Sequence, residues 1–180
     1  PAPILELGVS SEAPGATQFD IAENGMFVYR EGAAANGRVV ISLLDNDGKI
    51  QALVTKPGSY ARPHLSADGK RLAFSSLEGG TRDIWIYEQQ RNSMLRLTLD
   101  GKTGAGNPVW SPDGRYIVYG GLGGMWWTRS DGGRKPQPLT QSARPQGPSS
   151  FSADGKRLAW DEPGAGGSDL WTVPIAYDDA

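Results

Sequence analysis

The stretch that decides the fold is Ser111-Pro112-Asp113-Gly114-Arg115-Tyr116-Ile117-Val118-Tyr119. Its first four residues favour a tight turn. Serine and aspartate side chains bond nearby backbone N–H groups, and glycine takes the left-handed conformation that closes a bulged hairpin. The apolar triplet that follows, residues 117–119, has high β propensity, and its lack of alternation indicates burial on both faces of a sheet. The stretch therefore predicts a turn followed by an inner packing strand.

The same pattern occurs three more times along the chain. Near-ideal copies span residues 66–74 and 152–160, and a degenerate copy spans residues 22–29. The turn glycines are 44 (25 to 69), 45 (69 to 114) and 41 (114 to 155) residues apart. A period in the forties with several strands per unit is typical of β-propeller blades.

A complete repeat divides into four strands. One strand precedes the turn, one follows it, a third carries a tryptophan (Trp85, Trp126 or Trp171), and a fourth ends in Leu-Thr. The strand before each turn ends in a large apolar residue, which we expect to pack inward: Ile21, Leu65, Trp110 and Phe151. No amphipathic helical pattern of ten residues occurs, so we predict one all-β domain over residues 1–180, a β-propeller of about four four-stranded antiparallel blades. The predicted blades span about 18–57, 58–101, 102–143 and 144–180.

The fourth repeat is incomplete, because no Leu-Thr strand follows Ile175. The lone apolar run at residues 4–7 is one candidate for the missing outer strand. The alternative is a partial ring, completed by more blades or by self-association. Closed propellers have roughly 4–8 blades, and open ends expose sheet edges. We therefore favour the partial ring.

Composition and charge exclude several classes of partner. The formal net charge of −2 gives no basic field for nucleic acid. No apolar run approaches the roughly 18 residues of a membrane span, so we expect no membrane insertion by this segment. The chain has no cysteine and one histidine, which disfavours zinc sites. We predict no metal and no cofactor.

No catalytic constellation is present in the sequence. His64 is the only histidine, and no Gly-x-Ser-x-Gly segment supplies a nucleophile for it. We therefore predict that the chain is not an enzyme and has no catalytic residues. His64 is interpreted as a structural or channel-lining residue.

Function is expected in the side chains that do not repeat, because the repeating ones explain the scaffold. Tyrosine, tryptophan and arginine are also enriched at interaction hot spots. The predicted binding residues are Arg62, His64, Asn107, Asp20, Trp127 and Arg129. Further candidates are Val109 and Ser150 on inner strands and Tyr60 and Arg144 elsewhere.

The repeat Ser-x-Asp-Gly-[Lys/Arg]-x-[Leu/Ile]-[Ala/Val]-aromatic, then Asp-[Ile/Leu]-Trp, then Leu-Thr, resembles TolB-like and WD-repeat-like β-propellers over residues 18–175. The order of motifs over residues 83–140 is similar to the C-terminal propellers of bacterial transmembrane serine/threonine kinases. Such propellers usually have six or more blades. The resemblance implies an extracytoplasmic or periplasmic setting and carries over no catalytic residues.

Three functions stay open at this point. The first is a non-catalytic propeller that binds a protein, peptide or small ligand on its loop face or in its central channel. The second is a sensor or gating propeller cut from a receptor-like kinase or a prolyl-oligopeptidase-type peptidase. The third is a half-propeller that assembles with copies of itself.

Overall fold

A computed structural model describes residues 19–31, 38–99 and 104–177. The apolar run at residues 4–7, predicted to be a lone strand, lies outside the described residues. The described chain consists of fifteen strands in four antiparallel sheets, with turns and loops between them, and none of its residues is helical. In particular, no described helix is long and apolar enough to cross a membrane. The all-β prediction is confirmed.

Each sheet is formed by strands in chain order, which is the arrangement of a propeller blade. The first blade contains β1 (Phe19–Ile21), β2 (Phe27–Glu31), β3 (Val39–Leu44) and β4 (Ile50–Gly58). The second contains β5 (Tyr60–Leu65), β6 (Arg71–Glu78), β7 (Thr81–Glu88) and β8 (Ser93–Arg96). The third contains β9 (Gly106–Trp110), β10 (Tyr116–Gly121), β11 (Gly124–Arg129) and β12 (Gln137–Pro138). The fourth contains β13 (Gly147–Phe151), β14 (Arg157–Gly164) and β15 (Gly167–Pro174).

The repeated turn forms as its residues predict. Asp113 Oδ1 accepts hydrogen bonds from Ser111 Oγ at 2.5 Å and from the backbone N–H of Arg115 at 3.0 Å. Gly114 has a φ of 67° and donates its N–H to the Ser111 carbonyl. Burial raises the pKa of Asp113, but these hydrogen bonds and the Arg115 guanidinium outweigh it, so the pKa is lowered overall. The turn is therefore stabilised by an ionised aspartate.

Three apolar cores join consecutive blades. The first packs Val28 and Ile41 against Phe74, the second packs Ile84 against Ile117, and the third packs Met125 against Leu158. The triplet at residues 117–119 contributes to two cores from its opposite faces, since Ile117 and Tyr119 belong to the second core and Val118 to the third. The predicted burial of this triplet is confirmed.

One prediction of inward packing is wrong, and one repeated tryptophan is exposed. Ile21, in β1, is 57% exposed and belongs to none of the three apolar cores. Trp171, in β15, is 52% exposed and only stacks on Trp160, with ring centroids 6.4 Å apart. The equivalents of Ile21 in the second and third blades, Leu65 and Trp110, are buried, and the equivalents of Trp171, Trp85 and Trp126, are half-buried. Position in the series of blades therefore decides the exposure.

Candidate functional site

The inner strands of the four blades surround one cavity. Neighbouring strands β1 and β5, β5 and β9, and β9 and β13 lie against one another. The cavity has a volume of about 350 Å³. Its lining residues are Phe19, Asp20, Arg62, Pro63, His64, Asn107, Pro108, Val109, Pro148, Ser149 and Asp161. Each blade therefore contributes side chains to the same central space.

Asp20 connects the first blade to the second beside this cavity. Its Oδ2 atom accepts a hydrogen bond from the backbone N–H of Leu65 at 2.7 Å. The same oxygen lies 3.6 Å from His64 Nδ1. The His64 ring nitrogen is also 3.1 Å from the Leu65 carbonyl oxygen. Asp20 and His64 are thus held in place by the inner end of β5.

A second cross-blade contact fixes the backbone of the same strand. Trp110 donates its indole N–H to the His64 carbonyl at 3.0 Å. The Arg71 guanidinium lies over the Trp110 ring, 4.4 Å from its centroid, a favourable cation–π distance. Asp20 of the first blade and Trp110 of the third both bond to the backbone of residues 64–65, so this segment is held from two sides.

Arg62 and Asn107 adopt an unusual backbone conformation at equivalent places on β5 and β9. Their φ angles are 54° and 53°, in the left-handed region that non-glycine residues seldom adopt. Each residue precedes a proline within a bulge, where two residues face one on the neighbouring strand. The bulge accommodates the proline, which has no N–H to donate to the sheet, and it turns these two side chains toward the cavity.

Asn107 and Asp161 approach each other at the backbone of Gly147. A Cβ atom built on Gly147 would lie 2.8 Å from Asp161 Oδ1 and 3.1 Å from Asn107 Nδ2. A methyl group at this position would therefore require the Asp161 carboxylate to shift. Neither side chain forms a hydrogen bond or ion pair with the described residues. A carboxylate and an amide are thus available in the cavity.

The side chains that line the cavity offer several hydrogen-bonding groups. Within the described chain, the His64 ring lies near the Asp20 carboxylate and the Leu65 carbonyl, and its backbone carbonyl accepts a hydrogen bond from Trp110. Within the described residues, no group of three or more His, Cys, Asp or Glu side chains is placed to hold a metal ion. The lining instead offers two carboxylates, a guanidinium, an imidazole and an amide, which together match a ligand carrying both donors and acceptors.

No family model matches the chain. The Tol-Pal system protein TolB of Anaeromyxobacter dehalogenans (strain 2CP-C) is 26% identical over 117 residues, which cover 61% of this chain and 26% of that protein. A structure of a putative TolB from Agrobacterium tumefaciens superposes with a TM-score of 0.74 at 21% identity, covering 88% of this chain and 61% of that one. TolB from Acinetobacter baumannii gives a TM-score of 0.72 at 19% identity, over 88% of this chain and 40% of that one.

The chain has a β-propeller fold similar to that of TolB. It spans about a quarter of the length of the curated relative it matches. A prolyl endopeptidase structure is also similar, with a TM-score of 0.65 at 16% identity over 87% of this chain and 27% of that one. The closer likeness to kinase propellers stays a prediction.

The propeller brings together four of the six predicted binding residues, Asp20, Arg62, His64 and Asn107. The other two lie on the outer part of the third blade. Trp127 stacks on Tyr116 with ring centroids 5.1 Å apart, and Arg129 pairs with Asp131 at 2.8 Å. The cavity does not include these two side chains.

The further candidates are divided in the same way. Val109 lines the cavity, whereas Ser149 lines it in place of Ser150 because of the bulge after Pro148. Tyr60 is buried and donates its hydroxyl to the Lys56 carbonyl at 2.9 Å. Arg144 donates to the Pro163 carbonyl at 3.1 Å.

Sequence reasoning missed Asp161, although a signal for it exists. Asp161 directly follows the repeated triplet of the fourth blade, where the second and third blades have Ser75 and Gly120. A carboxylate that appears in one repeat only is a non-periodic residue of the kind expected to carry function.

Proposed function

We propose that this chain is a non-catalytic binding module that holds a segment of another polypeptide in its central cavity. One observation carries the proposal: the inner strands of all four blades place polar side chains around a single cavity. A volume of about 350 Å³ lies in the usual range of ligand sites, roughly 300–1,000 Å³, and accommodates a few side chains of a bound segment.

The chemistry of the lining favours a polypeptide over an apolar ligand. Asp161 accepts hydrogen bonds, and the Asn107 amide both donates and accepts them. A peptide bond presents one donor and one acceptor, so it matches this pair. Neither side chain forms a hydrogen bond or ion pair within the described chain. A ligand that bonds with them therefore displaces only water.

The backbone of Arg62 and Asn107 supports the same proposal. A non-glycine residue held in the left-handed region costs on the order of 1–3 kcal/mol and persists where the surrounding structure fixes it. Two equivalent strands carry this feature, and both residues lie at the cavity. Such conformations cluster at binding sites, where they position a side chain in advance.

A selection with a displayed random peptide library tests the proposal. Selected peptides are measured against the wild-type chain, the triple variant Arg62→Ala, His64→Ala, Asn107→Ala, and the single variant Asp161→Asn. We expect the triple variant to lose at least about tenfold in affinity, because a few residues dominate most interfaces. The matched control replaces three exposed outer residues, Arg134, Lys135 and Gln137, with alanine. Peptides that bind the triple variant and the wild-type chain equally well would contradict a cavity site.

A second candidate function is a gating or sensor propeller of a larger enzyme. It is supported by the similarity to a prolyl endopeptidase structure, of which this chain covers about a quarter. The reading frame of the parent gene distinguishes the binding module from the gating propeller. A hydrolase domain downstream or a kinase domain upstream would favour the gating propeller. The resemblance to TolB also supports the proposal of an extracytoplasmic location.

Self-assembly is the third candidate. It is supported by the exposed side chains at the two ends of the series of blades, Ile21 in the first and Leu170 in the fourth. Light scattering tests it directly. A mass of 19.2 kDa at all concentrations would exclude assembly of this chain with itself.

A further inference from the structure

A groove lies between the outer part of the second blade and the third blade. Its volume is about 550 Å³, within the usual range of ligand sites, roughly 300–1,000 Å³. The residues that matter for its chemistry are Lys70, Arg71, Ile86, Met94, Leu95 and Ser130. None of the described residues that line this groove also lines the central cavity, so the groove is a separate site.

The corresponding position between the third and fourth blades is filled by aromatic side chains. The registers of the two blades make Tyr116 the equivalent of Arg71, and Trp127 the equivalent of Ile86. The Tyr177 ring packs there, with its centroid 5.4 Å from that of Tyr116 and 6.4 Å from that of Trp127. The cleft beside Tyr116 and Trp127 has a volume of only about 10 Å³. Aromatic side chains therefore occupy, at this junction, the space that is open beside Arg71.

Both junctions hold the repeated turn of the following blade by one hydrogen bond. Tyr177 donates its hydroxyl to the Gly155 carbonyl at 3.0 Å, and Arg71 Nη2 donates to the Gly114 carbonyl at 2.8 Å. Arg71 thus makes the bond that Tyr177 makes in the other junction, but it brings no ring. None of the described residues that line the groove is aromatic. The second junction therefore has room for an aromatic side chain that it does not itself supply.

Arg71 is held in a fixed position on the wall of this groove. It is half-buried, its Nη1 atom donates to the Ser130 hydroxyl at 3.1 Å, and its guanidinium lies 4.4 Å from the centroid of the Trp110 ring. These partners and the Gly114 carbonyl are all neutral, and no carboxylate of the described chain forms an ion pair with Arg71. Because a guanidinium has five N–H donors, Arg71 can also bind a carboxylate.

The carboxylates of the groove do not neutralise this charge. Three of them line the groove, and each is bonded to another group: Asp68 to the Ser66 hydroxyl, Glu88 to Arg91 and Asp131 to Arg129. The ammonium of Lys70, by contrast, forms no hydrogen bond or ion pair with a described residue. Arg71 and Lys70 are therefore the cations that an incoming carboxylate meets.

Aliphatic side chains form the rest of the recognition surface. Met94 and Leu95, in β8, are 45% and 41% exposed, and they lie beside the buried Ile86. An aromatic ring buries apolar area against such side chains and is also attracted to a guanidinium that faces it. Methionine adapts its shape to different contacts. The groove thus combines apolar surface with two cations.

We propose that this groove is a second binding site, in which a segment of a partner polypeptide inserts an aromatic side chain beside Arg71. The ring packs on Met94 and Leu95, as Tyr177 packs on Tyr116 and Trp127 in the next junction. An acidic residue next to the aromatic one pairs with Arg71 and Lys70 through charge-assisted hydrogen bonds.

A synthetic peptide with blocked ends and the sequence of residues 174–180, Pro-Ile-Ala-Tyr-Asp-Asp-Ala, tests the proposal. It is titrated into the full chain, and binding is followed by calorimetry and by tryptophan fluorescence, since Arg71 contacts Trp110. We expect saturable binding that weakens by at least about tenfold when the tyrosine of the peptide is replaced by alanine. Replacing both aspartates by asparagine weakens it by about two- to fivefold, and added salt reduces that difference.

Variants of the chain locate the bound peptide. Leu95→Ala and Lys70→Glu each weaken binding by about fivefold or more, because they remove apolar contact and reverse a charge. Both residues are exposed, so the fold is retained. The matched controls are Ile50→Ala, on the outer strand of the first blade, and Lys49→Glu, in an exposed turn of that blade. Both controls bind the peptide as the wild-type chain does.

Several results would overturn the proposal. One is the absence of saturable binding. Another is equal binding by the groove variants and their controls, which places the peptide elsewhere, including the junction that Tyr177 fills. Binding that is lost in Asp161→Asn and kept in Lys70→Glu places the peptide in the central cavity. Dimers of the free chain that the peptide dissociates show that a second copy, and not a partner polypeptide, occupies the groove.

Discussion

Strands β7 and β15 have almost the same sequence at their centres and opposite environments. Asp83-Ile84-Trp85 in β7 corresponds to Asp169-Leu170-Trp171 in β15. Ile84 is fully buried, and Leu170 is 83% exposed. The difference arises because β7 has a fourth strand at its outer side and the third blade across its face, whereas β15 has neither in the described chain. Burial in a repeat protein is thus a property of neighbouring repeats.

The largest difference between the two strands is expected on truncation of the aliphatic residue. Ile84→Ala should lower the free energy of unfolding by about 2–5 kcal/mol, because it leaves a cavity in the second apolar core. Leu170→Ala should change it by no more than about 0.5 kcal/mol, as for other exposed positions. Urea denaturation of both variants measures the contrast. A large loss for Leu170→Ala would mean that another chain or segment covers β15 in solution.

A smaller difference is expected between the two aspartates. Asp83→Asn should cost about 1–3 kcal/mol, because Arg96 and Thr98 then donate to a neutral group in place of a buried carboxylate. Asp169→Asn should be nearly neutral, since this carboxylate has no partner in the described chain. The same denaturation experiment compares them. Equal losses would show that Asp169 has a partner in the free chain.

The smallest effect concerns how the fourth blade is attached to the third. Tyr177 donates its hydroxyl to the Gly155 carbonyl at 3.0 Å, and its ring lies 5.4 Å from that of Tyr116. Burial, and then the charge of Asp113, raises the pKa of Tyr177 to about 12. The unfolded value is about 10, so the phenol stabilises the fold below pH about 10 and this contribution is lost as the pH rises toward 12.

Tyr177→Phe tests this pH dependence. Between about pH 9 and about pH 12, the free energy of unfolding of this variant should fall less than that of the wild-type chain. Burial also raises the pKa of Tyr60, so part of the decline should remain in the variant. Tyr60 lies in the first apolar core. Its replacement by phenylalanine measures how much of the decline in the free energy of unfolding comes from Tyr60. A decline unchanged in Tyr177→Phe would place the titration elsewhere.

The sequence predicted much of the scaffold because the relevant interactions are local. The turn at Ser111 to Gly114 is formed by residues within four positions of one another, and the buried triplet is a run of three. Four of the six predicted binding residues lie at one cavity because the periodicity of the repeat places equivalent strands side by side. Trp127 and Arg129 do not lie there, because residue type alone indicated them.

The remaining features depend on contacts between blades. Asp161 belongs to the cavity because Gly147 and Asn107, from two other strands, leave room for its carboxylate. Its position follows from the bulge in β13, a backbone feature that the alternation of residues does not reveal. Arg62 and Asn107 were likewise predicted as binding residues because they do not repeat from blade to blade. Their left-handed backbone conformation played no part in that prediction.

By itself, the sequence determined an all-β propeller with a repeating turn, a buried second strand and an incomplete fourth blade. Hydrogen bonds within a turn and alternation along a strand involve residues close in sequence, so they are encoded directly. Only the tertiary structure decided that Ile84 is buried and Leu170 exposed, and that Asp161 joins Asn107 at the cavity. The exposure of a residue, and the set of side chains that meet at the cavity, depend on which blades are neighbours. A repeated sequence does not reveal its neighbours, because it is the same in every blade.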